Sequence, residues 1–532
     1  MLRLLLVILL MVAPSLARAQ GKARPAQPGP AANLSQILGR PTDRTITLSV
    51  QSATEIEAFV EYATLPALTQ KTPTRILKPG VPVEFEIGGL SPNTSCHYRL
   101  NTRAPGSASF AKGDESQFRT QRPAGESFTF AVQGDSHPER AGRMFDADLY
   151  AVTMRNVAKD RPDFYFMMGD DFSIERLIEN NNRSQTAVNA VYAQQRAFLG
   201  IVGASTPLML VNGNHEQAAK YLLDGTPTNF AVLAGKARAE FFPLPAPNAF
   251  YSGDSHPVDH IGLLRDYYAW EWGDALFVVI DPYWHSDVAV DNEAGTKAPR
   301  KDADRTPKDQ GESARDSKRR ARENQDADQD KDANDAAQEA NRRGKGGRDL
   351  WQITLGDDQY QWLRTTLTQS KARFKFVFSH HVLGTGRGGI EQAGKFEWGG
   401  EDNRGVDRFA QMRPKWQQPI HDLMRDSGVT IFFQGHDHLY ARQELDGVVY
   451  QSCPNPADPT FTAFNRDAYK TGDILPNSGY LRVTVNAGAD ASVKVEYVRS
   501  FRPSDENDSL KNTAVAHSYL VAPRSAVITP KK

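Results

Sequence analysis

From Arg44 to about Pro123 the chain alternates between apolar and polar positions. The runs TITLSV, EIEAFVEYA, PVEFEIGGL, CHYRLNTRA and SQFRT are short and separated by Pro, Gly and Asn. A period of two broken by turn residues is the mark of half-buried strands, so residues 44–123 are predicted to form an all-β sandwich. From Glu126 the pattern changes. Continuous apolar runs (FTFAVQ, DFYFMM, PLMLV, FKFVFS, VTIFFQ) now alternate with longer helix-like stretches such as MFDADLYAVTMRNVAK and AVNAVYAQQRAFLGIV. Buried strands alternating with helices predict a layered α/β domain over residues 126–500. Near its end SGYLRVTVNAGADASVKVEYVRS reads as a closing hairpin, and 501–532 as a C-terminal tail.

Three segments fall outside this patterning. MLRLLLVILLMVAPSLARAQ pairs Arg3 and an apolar run with Ala17-Arg18-Ala19, the form of a signal peptide (1–19) too short to span a bilayer well. Residues 20–43 are rich in Pro, Gly and Ala and are predicted to be a linker. Residues 297–346 are almost entirely charged or small and cannot bury enough apolar area to offset their ordering entropy, which predicts a disordered insertion within the α/β domain. The 532 residues carry a net charge of −1, which gives no reason to expect nucleic acid or an anionic membrane as partner. The two cysteines, Cys96 and Cys453, fall in different predicted domains and are expected to be unpaired.

Each of the five apolar runs releases polar residues just past its end: Asp135 and His137, Asp170 and Asp171, Asn214 to Glu216, His380 and His381, His436 and His438. In a sheet of this type the strand ends converge on one crevice, where ligands bind. Carboxylate oxygen, amide oxygen and imidazole nitrogen without sulfur suit Fe, Mn, Zn or Co. Asp135, His137, Asp170, Asn214, His380, His436 and His438 are enough for two ions if one carboxylate is shared. Glycine precedes four of the motifs and is predicted to let the backbone turn sharply there.

GLSPNTSCHYRL resembles the fibronectin type III signature through Leu90, Pro92, Thr94 and Tyr98. The ordered strand-end motifs resemble those of the calcineurin-like metallophosphoesterase superfamily. Among its branches they are most like the one containing purple acid phosphatases, which also carry an N-terminal fibronectin-like sandwich. The resemblance implies a two-sheet αββα metallophosphoesterase sandwich behind the first domain. It further implies that Asp135, His137 and His438 bind one metal, that Asn214, His380 and His436 bind the second, and that Asp170 bridges them. Hydroxide between the two ions would attack phosphorus in line, and His215 would protonate the leaving group. The purple enzymes carry a metal-binding tyrosine three residues after the bridging aspartate; here Ser173 stands there, preceded by Phe172, and His137 offsets the loss. The first site should therefore give no purple colour. Glu216 or Asp171 would orient the histidines.

Substrate contacts are expected from His381 and from Arg387 and Trp398 in the glycine-rich stretch 384–405, with Tyr440 and Arg442 as weaker candidates. The substrate would be a small phosphate ester or a nucleotide, hydrolysed by an exported, periplasmic or secreted enzyme. A narrower phosphodiesterase or nucleotidase, and a cell-surface binding protein with an inactive catalytic domain, remain as alternatives.

Overall fold

The computed structural model describes residues 34–64, 67–290, 349–383 and 386–524. The predicted signal peptide, residues 20–33 of the predicted linker and the charged insertion at 297–346 lie outside the described residues.

The first domain has eight strands: β1 (Leu34–Gly39), β2 (Ile46–Ser52), β3 (Ile56–Ala63), β4 (Gln70–Lys71), β5 (Arg75–Leu77), β6 (Val83–Ile87), β7 (Ser95–Arg103) and β8 (Ala111–Arg119). One sheet runs β1-β2-β6, the other β4-β3-β7-β8 with β5 also on β3. Leu38, Leu48, Val50, Phe85 and Ile87 meet Val60, Cys96, Tyr98, Leu100 and Phe118 in one core. The sandwich starts ten residues earlier than its alternation predicted, because β1 occupies part of the predicted linker. That strand is covered on both faces: Leu38 joins the sandwich core while Ile37 joins the next domain's core.

The second domain is built on two sheets facing each other. β9 (Phe128–Gln133), β10 (Tyr165–Met167) and β11 (Leu208–Leu210) are parallel, and β22 (Gly479–Asn486), β23 (Ser492–Arg499) and β24 (Val515–Val521) extend the sheet antiparallel in the order β11-β10-β9-β22-β23-β24. The second sheet, in chain order, contains β12 (Ser252–Gly253), β15 (Tyr268–Trp272), β16 (Ala275–Val279), β17 (Phe374–Phe378), β18 (Ile431–Gln434), β19 (Tyr440–Leu445), β20 (Val448–Ser452) and β21 (Asp473–Leu475). A separate two-stranded ribbon, β13 (Pro257–Val258) with β14 (Gly262–Leu263), precedes β15. The predicted closing hairpin is β22–β23. The predicted tail is a further correction: β24 pairs with β23 and forms the sheet's outer edge.

Side chains alternate between layers, as the pleat demands. Phe128, Phe130 and Val132 of β9 meet Phe277, Phe376, Phe378 and Phe433 between the sheets. On the other face of the first sheet, Ala131, Tyr165 and Met167 pack against α1 (Ala147–Asp160), α3 (Gln185–Gly203) and α4 (Phe230–Phe241), with the short α2 (Glu175–Glu179) nearby. Beyond the second sheet, Val278, Val377 and Phe432 pack under α5 (Gly356–Gln369) and two shorter helices, Phe396–Gly399 and Ile420–Asp426. Burial on both faces is why these strands are continuously apolar.

The domains are joined by buried polar contacts. Arg196 of α3 is 1% exposed and donates to Ser35 Oγ, Ser49 Oγ and Ser49 O at 3.0 Å each, and to Phe241 O. Tyr98 reaches Ala204 O at 2.6 Å. Cys96 and Cys453 are buried and unpaired. Among the described residues no helix is long and apolar enough to cross a membrane.

Candidate metal centre

β9, β10 and β11 run parallel, as do β16, β17, β18 and β20, so the carboxyl ends of both sets meet at one rim. The chain must leave each strand abruptly there. His137, Asp170, His436 and His438 all adopt left-handed backbone conformations, at φ 51°, 59°, 67° and 50°. Such geometry costs on the order of 1–3 kcal/mol per non-glycine residue and persists only where the surroundings impose it. Hydrogen bonds do so: His137 N donates to Asp170 O (3.1 Å) and His436 N to Asp135 Oδ1 (2.7 Å). The glycines act differently from expectation. Only Gly169, at φ 100°, makes a turn itself. Gly435 instead leaves room, since a Cβ there would collide with Asp135 Oδ1.

The seven predicted ligands come together. Asp135 Oδ2 lies 3.1 Å from His438 Nε2 and 3.7 Å from His137 Nε2, yet makes no hydrogen bond of good geometry. His137 Nε2 faces His438 Nε2 at 2.9 Å. Asp170 Oδ2 is 3.1 Å from His380 Nε2 and 3.7 Å from His137 Nε2, and so touches both histidine groups. His380 Nε2 is 3.0 Å from Asn214 Oδ1 and 3.2 Å from His436 Nδ1. Asp135, Asp170, His380 and His436 form one buried cluster that offers convergent ligand atoms; Asp135, His137 and His438 form a second.

Two imidazole nitrogens at hydrogen-bond distance suit a shared cation better than each other. His380 Nδ1 is engaged by Met168 O (2.7 Å) and His137 Nδ1 by Glu139 Oε1 (2.7 Å). Those partners hold the ring proton on Nδ1 and aim the Nε2 lone pairs inward. Burial and the neighbouring His137 hold His438 well below the usual histidine range. Burial alone would raise Asp135, but His380, His137 and His438 hold its carboxyl well below the usual range. Burial likewise opposes charging His380, yet Asp170 and Asp135 raise it to about 10. A divalent or trivalent pair fits this donor set of carboxylates, imidazoles and one amide oxygen.

His215 stands at the mouth, its side chain 13% exposed, with Nε2 3.9 Å from Asp170 Oδ2 and Nδ1 3.0 Å from Glu175 Oε2. Phe172 turns away from the centre to stack on Tyr192 at 4.5 Å.

Several expected roles are redistributed. Glu216 orients no histidine. Its carboxylate collects four backbone N–H groups, from Asp170 (3.0 Å), Asp171 (2.7 Å), Phe172 (3.2 Å) and Gly213 (2.7 Å). Asp171 accepts from Ser136 Oγ and Gln133 Nε2. Trp398 is not a substrate platform: it is fully buried, donates to Tyr450 Oη at 2.8 Å and packs on Phe432. Arg387 lies beside the centre, but its guanidinium donates to His436 O and sits 3.6 Å from Asp437 Oδ1. His381 is buried against Tyr283 and His436, with ring centroids 6.1 and 5.0 Å away. Tyr440 stacks on Tyr497 in the core, and Arg442 lies over Tyr519. Glu139, Arg140 and Glu175 were missed. Arg140, in the helical turn Pro138–Arg140, brings Nη2 within 3.3 Å of His215 Nε2. The charged DSHPER stretch was the available signal.

No protein-family profile and no curated protein matches the chain. Solved structures do. PhoD aligns at a TM-score of 0.57 and 15% identity over 92% of this chain and 90% of that one. The purple acid phosphatase PPD1 from yellow lupin (Lupinus luteus) seeds aligns at 0.55 and 16% over 92% of this chain and 74% of that one. Both alignments take in nearly the whole chain, and the chain has a metallophosphoesterase-like fold, shared with PhoD and purple acid phosphatase, with buried histidine–aspartate clusters as its candidate metal site.

Proposed function

We propose that this protein is an exported hydrolase of phosphoric esters that works with two metal ions of the Fe, Mn or Zn class. The observation that carries the reading is the convergence of Asp135, Asp170, His137, His380, His436 and His438, buried and with nitrogen facing nitrogen. Asp135, His137 and His438 would hold one ion, Asn214, His380 and His436 the other, with Asp170 between them. Bound there, two cations supply an activated water and neutralise charge on phosphoryl oxygens.

The protein's own groups do the rest. Burial opposes charging His215, but Glu175 beside Nδ1 and Asp170 raise it to about 10, so the imidazolium carries a second proton at Nε2, the atom that faces the centre and would protonate the leaving oxygen. The Arg140 guanidinium beside that atom is placed to bind a substrate phosphoryl oxygen. A small phosphate ester or nucleotide is the substrate class.

The test is hydrolysis of a chromogenic phosphomonoester and its diester by wild type and Asp170→Asn, each loaded in turn with Mn, Zn or Fe. Turnover by wild type and its loss in the variant, by a factor of about 10³ or more, is expected, with weakened metal retention. Equal turnover would remove Asp170 from the centre. No turnover by metal-loaded wild type on either ester would count against the reading itself. Export is checked separately: the mature chain recovered outside the cytoplasm should begin at Gln20.

A further inference from the structure

A second group of metal-ligating side chains lies on the same rim of the second sheet, displaced toward its β12 edge. Asp254 follows β12, Asp266 precedes β15, and His285 lies in the turn after β16. One ligand atom from each lies within 4.8 Å of the others. His285 Nε2 is 3.0 Å from Asp266 Oδ2. Asp266 is 1% exposed and Asp254 3%. Asp266 Oδ1 is buried with no hydrogen-bond partner.

Asp281 adds a third buried acid. Its Oδ1 accepts from Tyr283 N (2.6 Å) and Trp284 N (3.1 Å), while its Oδ2 is buried and unpartnered. Asp254 Oδ1 is met by His256, through N at 2.8 Å and Nδ1 at 3.1 Å, which leaves the buried Asp266 and Asp281 with His285 as their imidazole. Burying that much acid costs more than a single carboxylate–imidazole hydrogen bond returns.

We propose that Asp254, Asp266 and His285 bind a divalent cation of the zinc type, distinct from the ions of the catalytic centre. Two carboxylate oxygens and one imidazole nitrogen, without sulfur, match the ligand preference of zinc, with water completing a tetrahedron. The 3.0 Å between His285 Nε2 and Asp266 Oδ2 is close to the spacing of about 3.3 Å between two ligands of a tetrahedral zinc ion. The site braces the turn from Asp281 to Ser286. That turn carries Tyr283, whose ring stacks on His381 behind the catalytic histidines. The role is structural, and the hydrolytic machinery does not contact it.

The full-length protein is stripped with a chelator, reloaded with Zn²⁺, passed over chelating resin and analysed for metal content. Wild type should retain one more zinc per chain than Asp266→Asn or His285→Gln, with ester hydrolysis retained in both variants and a lower melting temperature. Equal zinc content in wild type and folded variants overturns the proposal and leaves an Asp–His hydrogen bond only. An anomalous difference map of zinc-loaded wild-type crystals needs no variant. A peak enclosed by Asp254, Asp266 and His285 supports the site, and no peak there, with peaks at the catalytic centre, overturns it.

Discussion

His380 Nε2 faces Asp170 Oδ2 at 3.1 Å and Asn214 Oδ1 at 3.0 Å, a position that in the metal-free protein stabilises a proton. Its pKa rises from the ordinary 6.5 to about 10, against burial, because Asp170 and Asp135 are nearby. A raised histidine stabilises the fold fully below pH 6.5 and loses that contribution as pH rises through 10. Metal-free protein should therefore lose melting temperature across this window, whereas metal-loaded protein should not. Because the cation displaces the proton, apparent affinity should tighten about tenfold per pH unit between pH 7 and 9, read by titration calorimetry. Glu216→Gln replaces one acceptor oxygen with a donor facing amide N–H groups. It should cost about 2–3 kcal/mol in denaturant unfolding, and an unchanged midpoint would mean that the turn is held otherwise. Ferric-loaded protein should show no tyrosinate band in the visible spectrum, because position 173 is serine and Phe172 is turned into the core. The strand-end ligands were legible because their residue types mark chemistry wherever they occur. Arg140 and Glu175 were not, because an ordinary surface charge becomes functional only once a turn and a short helix deliver it to His215. Trp398 misled for the opposite reason: an aromatic in a glycine-rich stretch suggested a substrate contact, but the helix Phe396–Gly399 seats that ring against Phe432.

At the scale of elements, the buried strands were readable because both faces are apolar and the run is continuous. β1 was not, since in LSQILG the adjacent Ile37 and Leu38 serve two different cores and break the alternation. β24 was hidden differently, as an edge strand with Leu520 67% exposed and no unbroken apolar face. α3 carries more than its amphipathic pattern disclosed, because Arg196 on its surface is satisfied almost wholly by the preceding domain. Arg196→Leu leaves two serine hydroxyls and two carbonyls without their donor. It should destabilise the protein by about 2–4 kcal/mol in urea unfolding while metal affinity changes little. A loss confined to metal binding would contradict the interface role.

Across the whole molecule, the sandwich and the two-sheet domain share polar contacts and part of a core, through Ile37. The seven candidate ligands of the catalytic centre come from five separate stretches of chain, and His137 and His438, 2.9 Å apart, are separated by 301 residues. No fragment ending before β18 contains both. A misassembled molecule in which the second sheet has failed to close on the first contains both but holds them apart. Metal held at that centre would therefore be a census of correctly finished molecules, and its ratio to protein in a preparation would measure the yield of folding itself.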